Sequence, residues 1–238
     1  MSDEAALLDQ ITSTVARIQG KTDELQRSIN GKLHWLPSGL QDSIVAGWNK
    51  FCGLMADIWH ALGDILGHLG SPDTLYRTAS LWSSSVGGPV SEKVGTVDAG
   101  LLTVDDTWNG TAADAYRQLL PGQKAALTAV KTTFTDAIAT GLSSLAKAIY
   151  IFWGALVAAI VGLAAGIVGG LASSATIIGL PATPFIIVAA GLVAGAAIAA
   201  GEWNLGSTAS DVKTTFQEKL SESTAFPNGQ WPPARLAG

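Results

Sequence analysis

Charge is what this chain has least of. Asp, Glu, Lys and Arg make up 14% of its 238 residues, where soluble domains average roughly 25%. The hydrophobic share of 48% is ordinary. The deficit is therefore local, and none of the four charged types occurs from Ala148 to Gly201. Cysteine is almost missing. A single Cys52 excludes an intrachain disulfide framework and a Cys-rich zinc site. Next to Phe51, on the apolar side of its helix, it reads as core packing. There is no basic excess either: a net charge of −5 argues against a nucleic-acid partner, because phosphate binding needs a Lys/Arg surface. The N-terminal MSDEAALLDQ lacks the basic-then-apolar pattern of a cleaved signal peptide. G-x-S-x-G, H-E-x-x-H and P-loop patterns are absent, so the reading is non-enzymatic, with no cofactor. No β-alternation of useful length appears, and the fold expected is all-α, an elongated bundle of long antiparallel helices.

What is present is helical periodicity. Leu8, Ile11, Val15, Ile18, Leu25 and Ile29 step by threes and fours, with Thr22 on the seam. Gly31 and Pro37 close this helix. A second stripe runs through Leu40, Ile44, Trp48, Phe51, Met55, Ile58, Leu62, Leu66 and Leu69. Ser71 and Pro72 suit the cap and first position of the next helix. That third helix carries Leu75, Ala79, Trp82, Val86, Val90, Val94, Val97, Leu101 and Val104, and Gly87-Gly88-Pro89 should kink or break it. A fourth carries Ala113, Tyr116, Leu119, Leu120, Leu127, Val130, Phe134, Ile138 and Leu142, with a weak point at Pro121-Gly122, and continues into the charge-free region. Ala209, Val212, Phe216 and Leu220 form a last short helix before a Pro-rich tail, in which Trp231 can dock on the bundle. The parts expected are an N-terminal helical pair at 1–70, a hairpin at 71–144, a hydrophobic hairpin at 145–203 and a short helix with tail at 204–238.

Between the third and fourth helices stands DDTWNGTAADAY, residues 105–116. A glycine at a helix exit supplies the left-handed conformation that reverses the chain, and Thr111 can then cap the next helix. Trp108 can anchor both helix ends, while Ala112, Ala113 and Ala115 let the helices approach. Trp108-x-Gly110, followed by Ala112, Ala113 and Tyr116 in the pattern W-x-G-x-A-A-x-x-Y, resembles the WXG-type helical hairpins that are substrates of bacterial type VII secretion. Leu81 and Trp82 on the preceding helix also fit. The resemblance covers about a third of the chain. It implies export in a folded state without a cleaved signal peptide, and a location in the secreted or cell-envelope, membrane-associated pool. It also implies a partner hairpin of the same family or a second copy in a homo-oligomer, with Trp108 and Gly110 setting the turn and Trp82 and Tyr116 facing the partner. One feature departs from the family. Its export signal, Tyr followed four positions later by Asp or Glu, is not matched by Tyr76, Tyr116 or Tyr150, which are followed by Ser80, Leu120 and Gly154. Export would then rely on a partner's signal, or does not occur.

The charge-free region reads as a hairpin. Ala148–Ala172 spans ~37 Å as a helix and Phe185–Gly201 ~25 Å, against a hydrocarbon core of roughly 30 Å. Tyr150, Phe152 and Trp153 open the first run and Trp203 follows the second, which places them at one level as an interfacial aromatic belt. Gly162, Gly166 and Gly170, with Gly191 and Gly195, have the GxxxG spacing that lets helices pack closely in lipid. Membrane lipid is the partner expected here. Two other readings stay open: a pore-forming or permeabilising effector, and a soluble ring or filament with buried Gly/Ala hairpins. Asp57, His60, Asp64 and His68 share one helix face, but four turns are too long for one ion to gather them, and a solvated face, not a metal site, is expected.

Overall fold

Pro37 separates the first two apolar stripes, and each becomes one long helix: α1, Asp3–Leu33, and α2, Ser38–His68. The computed structural model describes residues 3–68, 70–98, 108–221 and 223–233. Leu69, Leu101 and Val104 of the expected stripes lie outside these residues, as do the side chains of Leu66 and His68. Gly31 does not end α1, which runs two residues further. The stop comes at the turn, where Trp35 and Leu36 amides donate to the Lys32 and Leu33 carbonyls at 3.0 and 3.1 Å. The Gln41 side chain donates to the Leu36 carbonyl at 2.7 Å.

Every regular element among the described residues is helical. The third helix is not broken at Gly87-Gly88-Pro89. It runs as α3, Pro72–Leu81, through a π-helical turn, Trp82–Gly87, into α4, Gly88–Val94. Pro89 lacks an N–H and its ring crowds the carbonyl four residues back. Widening the preceding turn relieves that crowding while keeping the helix continuous. The fourth helix likewise passes through Pro121: α5, Thr111–Ala129, a second π-helical turn, Val130–Thr135, and α6, Asp136–Ser174, follow without interruption. Leu120 and Ala126, both buried, anchor the helix on either side of the proline. The expected separate helix near 209–220 is instead the far end of α7, Thr183–Ser221. No proline interrupts this stretch, and an interior glycine such as Gly206 costs only ~1 kcal/mol.

The helices sort into two units, Met1–Ser71 with Ala148–Gly206, and Pro72–Lys147 with Ser207–Gly238. In the first unit α6 and α7 are antiparallel: Gly166 meets Ala190, Gly170 meets Ile187 and Phe152 meets Gly201. Helix α2 runs parallel to α7, with Gly47 against Pro184 and Leu54 against Gly191. Helix α1 follows α6, with Leu25 near Gly170 and Ser28 bonded to Ser174. The core between them holds Ile18, Leu25, Ile44, Phe51, Leu156, Ile160, Leu163, Ile167 and Ile187, each essentially solvent-free. Leu8 and Leu40, at the ends of their stripes, are 36% and 41% exposed and stand outside it.

In the second unit α4 packs on α5 and the two π-helical turns face each other. At that crossing Gly87 lies against the fully buried Thr135, whose hydroxyl donates to the Val130 carbonyl at 3.1 Å. The far end of α7 closes on the start of α6, where Gly141 admits the side chains of Val212 and Phe216. The tail docks as well. Phe226 packs between Phe134 and Trp231, at ring-centroid distances of 5.2 and 5.8 Å. The Trp231 indole donates to Gln123 Oε1 at 2.5 Å, and the Gln123 amide donates back to the Pro232 carbonyl at 2.8 Å.

The Gly87–Thr135 contact yields a paired test. A Cβ at Gly87 would lie 2.8 Å from Thr135 Cγ2, so Gly87→Val should destabilise by about 1–3 kcal/mol. Adding Thr135→Ser, which removes that methyl and keeps the hydroxyl, should recover part of the loss in urea unfolding. Strict additivity of the two changes would contradict the contact.

Candidate membrane-contact surface

The uncharged segments of α6 and α7 are long and apolar enough to cross a membrane by length and composition. In the first unit α1 and α2 cover one face of this hairpin. Large apolar side chains outside that cover stay in the open: Ile151, Val161 and Val168 on α6, and Phe185, Leu192 and Val193 on α7, with Phe185 and Leu192 at the edge against α2. Phe185 is 78% exposed and Val193 70%. Coverage of an amphipathic helix pair normally ends at a polar face. Here it ends at a second apolar one.

The turn joining the two helices is also apolar outside and self-satisfied inside. Ile178 is 94% exposed and Ile177 45%. The Ser173 hydroxyl donates to the Gly179 carbonyl at 2.6 Å, the Gly179 amide to Thr176 Oγ1 at 3.0 Å, and the Leu180 amide to the Thr176 carbonyl at 3.1 Å. Leu180–Ala182 forms a single 3₁₀ turn ahead of α7, and the buried Thr183 hydroxyl reaches back to the Gly170 carbonyl at 3.4 Å. Unsatisfied backbone groups are what make loops costly in lipid, and this turn bonds several of its own. Beside it lies the α1–α2 turn with Trp35, 67% exposed, and Leu40 in the first turn of α2. A groove of about 440 Å³ runs from Leu40 and Ile44 to Pro184, Phe185 and Leu192. Periodicity analysis missed this apolar end, because it reads helices and these residues belong to turns and helix tips. The readable signal was Ile177-Ile178 inside a segment otherwise made of Ser, Thr, Ala, Gly and Pro with one leucine, Leu180.

The aromatic belt is corrected. Trp203 is 76% exposed, but Trp153 is only 5% exposed and Phe152 2%. Tyr150 is half-buried. Phe152 fills the space left by Gly201 and stacks edge-on with Trp153 at 6.5 Å. Trp153 faces inward because position 153 shares the buried side of α6 with Leu156, Ile160, Leu163 and Ile167. Its indole N–H is buried with no partner among the described residues. The glycine expectations divide. A Cβ on Gly166 would collide with Ala190, and one on Gly170 would lie 2.5 Å from Ile187. Gly191 admits Leu54 of α2 and does not face α6. Gly162 and Gly195 meet nothing within 4 Å, and Gly195 opens on a groove shared with Leu54, Asp57 and Ala61 of α2. Gly47 and Gly201, not singled out from the sequence, are further close approaches between helices of this unit. Cys52 is exposed and not in the core. Partial burial nonetheless raises its thiol above the ordinary cysteine range, which disfavours the thiolate.

At the W-x-G segment the turn residue sits elsewhere than expected. Trp108 and Asn109 are not helical, and Gly110 occupies the N-cap of α5 with φ 107° and ψ −179°. Its carbonyl accepts the Asp114 amide at 3.1 Å. Thr111 is therefore the first helical residue and not the cap. Trp108 packs on Tyr116 at 5.6 Å, and Arg117 links Asp114 Oδ1 to the Trp108 carbonyl at 3.0 and 3.4 Å. Tyr116 and Trp108 remain 37% and 38% exposed, and Trp82 opens the first π-helical turn half-buried. Of the three alanines expected to let helices approach, only Ala113 is fully buried. On α2, His60 Nδ1 lies 3.2 Å from Asp64, both largely exposed. Among the described residues no three His, Cys, Asp or Glu gather.

Compared with known proteins, the chain matches no family model, no curated protein and no solved structure.

Two outcomes follow from this geometry. In variants retaining one tryptophan each, acrylamide should quench Trp203 severalfold more strongly than Trp153 in buffer. Equal quenching would mean that α1 and α2 do not cover the inner face. Gly110→Ala should cost about 1–3 kcal/mol in chemical unfolding, because that φ/ψ is essentially glycine-only, although the added methyl meets no neighbour. An unchanged stability would mean that α5 starts with other backbone angles.

Proposed function

We propose that this chain is a non-enzymatic protein that acts at a membrane, through insertion of the α6–α7 hairpin and self-association, as a substrate or associated component of type VII secretion. The observation that carries the membrane reading is the uncharged hairpin with a second apolar face left uncovered. Burying a Leu, Ile, Val or Phe side chain is worth roughly 1.5–3 kcal/mol. Six such residues exposed along the hairpin therefore provide a strong drive out of water. Helical backbone and a self-bonded turn keep the polar cost of entering lipid low.

The secretion part rests on the W-x-G-x-A-A-x-x-Y pattern, and the antiparallel packing around the π-helical turns supports a hairpin reading of this unit. Leu81 and Tyr76, 56% and 40% exposed, add apolar surface for a partner hairpin. A second reading, a soluble assembly of copies through the exposed surface of the hairpin, is favoured by Gly162. Its open surface admits the backbone of another helix.

Flotation with phospholipid vesicles tests the choice. Full-length protein should rise with the vesicles. In a Cys52→Ser background, Ile178→Cys should react readily with a water-soluble maleimide and lose that reactivity when vesicles are added. Protein that stays at the bottom of the gradient as a discrete oligomer would favour the soluble assembly and overturn the membrane reading. Release of a trapped dye would add permeabilisation to the function.

A further inference from the structure

Lys147 is the last charged residue before the uncharged stretch begins. It lies on α6 at the edge of a groove of about 590 Å³ in the second unit, between α3 with its π-helical turn and the start of α6. The groove is a surface of hydroxyls. Ser80 and Ser83 line one side, Ser143 and Ser144 the other, and Tyr76 stands beside them. No carboxylate lines it. Among the described residues, Lys147, Ser143 and Ser144 make no side-chain hydrogen bond or ion pair.

Several hydroxyl donors around one unpaired ammonium, with no acidic neighbour in the lining, form a site for a phosphate oxyanion. The position on α6 says which phosphate. If the hairpin beyond Ala148 lies in lipid, Lys147 stands within one helical turn of the hydrocarbon edge, at the depth of the headgroups. Net charge makes the feature more telling. At −5 the protein as a whole is repelled by an anionic bilayer, so attraction to one must be local. We infer that the Lys147 groove is a headgroup site that holds the phosphate of an anionic phospholipid once the α6–α7 hairpin enters the bilayer. The inference rests on the membrane reading above and adds the lipid class that the protein selects.

The test uses full-length protein and vesicles of phosphatidylcholine with or without phosphatidylglycerol. Wild type should bind the anionic vesicles about fivefold more tightly, the scale of one lysine at a charged surface. Lys147→Gln should abolish that preference and leave binding to pure phosphatidylcholine unchanged. Lys147→Arg should keep most of it, and the paired Ser80→Ala/Ser143→Ala variant should weaken it. Lys213→Gln, an exposed lysine on α7 outside the groove, should have no effect. A preference that survives Lys147→Gln, or falls equally with Lys213→Gln, overturns the site while leaving the membrane reading standing. Failure to bind either vesicle overturns both. Inorganic phosphate that binds in a Lys147-dependent way, with no lipid preference, would reassign the groove to a soluble anion and overturn the lipid assignment.

Discussion

The hairpin formed by α6 and α7 has two faces to hide from water and only one cover. With no Asp, Glu, Lys, Arg or His from Ala148 to Gly201, this stretch of neither helix can present a charged outer surface, so the usual amphipathic solution is closed to it. Ile18 and Leu25 of α1, with Phe51 and Met55 of α2, bury the inner side. The outer side keeps Phe185, Val193 and Ile151 in the open. The rest of the first unit follows from this imbalance. The glycines at 166 and 170 draw α6 and α7 together, Gly47 and Gly191 seat α2 against α7, and the turn between the helices bonds its own polar groups.

The second unit is built on different terms. Its helices carry charged residues throughout, and its crossing point is a pair of π-helical turns with Gly87 against Thr135. The tail is pinned there by two aromatic contacts and a reciprocal glutamine–backbone pair. Such a unit needs no lipid to satisfy its surface. Its groove of serines around Lys147 is polar at the point on α6 where polarity ends.

Much of the secondary structure was legible because periodicity records which side of a helix is buried. Ile11, Ile18, Leu25 and Ile29 were read as one stripe, and all four are buried. Local breakers were less reliable. Gly87-Gly88-Pro89 was read as a kink or break, yet that helix continues, because a widened turn absorbs Pro89; Pro121, read as a weak point, sits inside an α-helix that runs on through it. Cys52 shows the limit of reading a face from its neighbour. Phe51 is fully buried and Cys52, one position and about 100° around the helix, is exposed.

The sequence alone determined that the chain is helical, where most helices run, and that a long uncharged segment folds back on itself. These are properties of local spacing and composition. Which aromatic stands exposed and which faces the core was decided only by tertiary packing. Trp153 and Trp203 have the same chemistry, and only the placement of neighbouring helices buries one and exposes the other. The same holds for the glycines: five share one spacing, but Gly166, Gly170 and Gly191 have a neighbour to receive while Gly162 and Gly195 do not. A spacing rule fixes the direction in which a residue points along its own helix. It carries no information about what stands there, because that depends on segments far away in the chain.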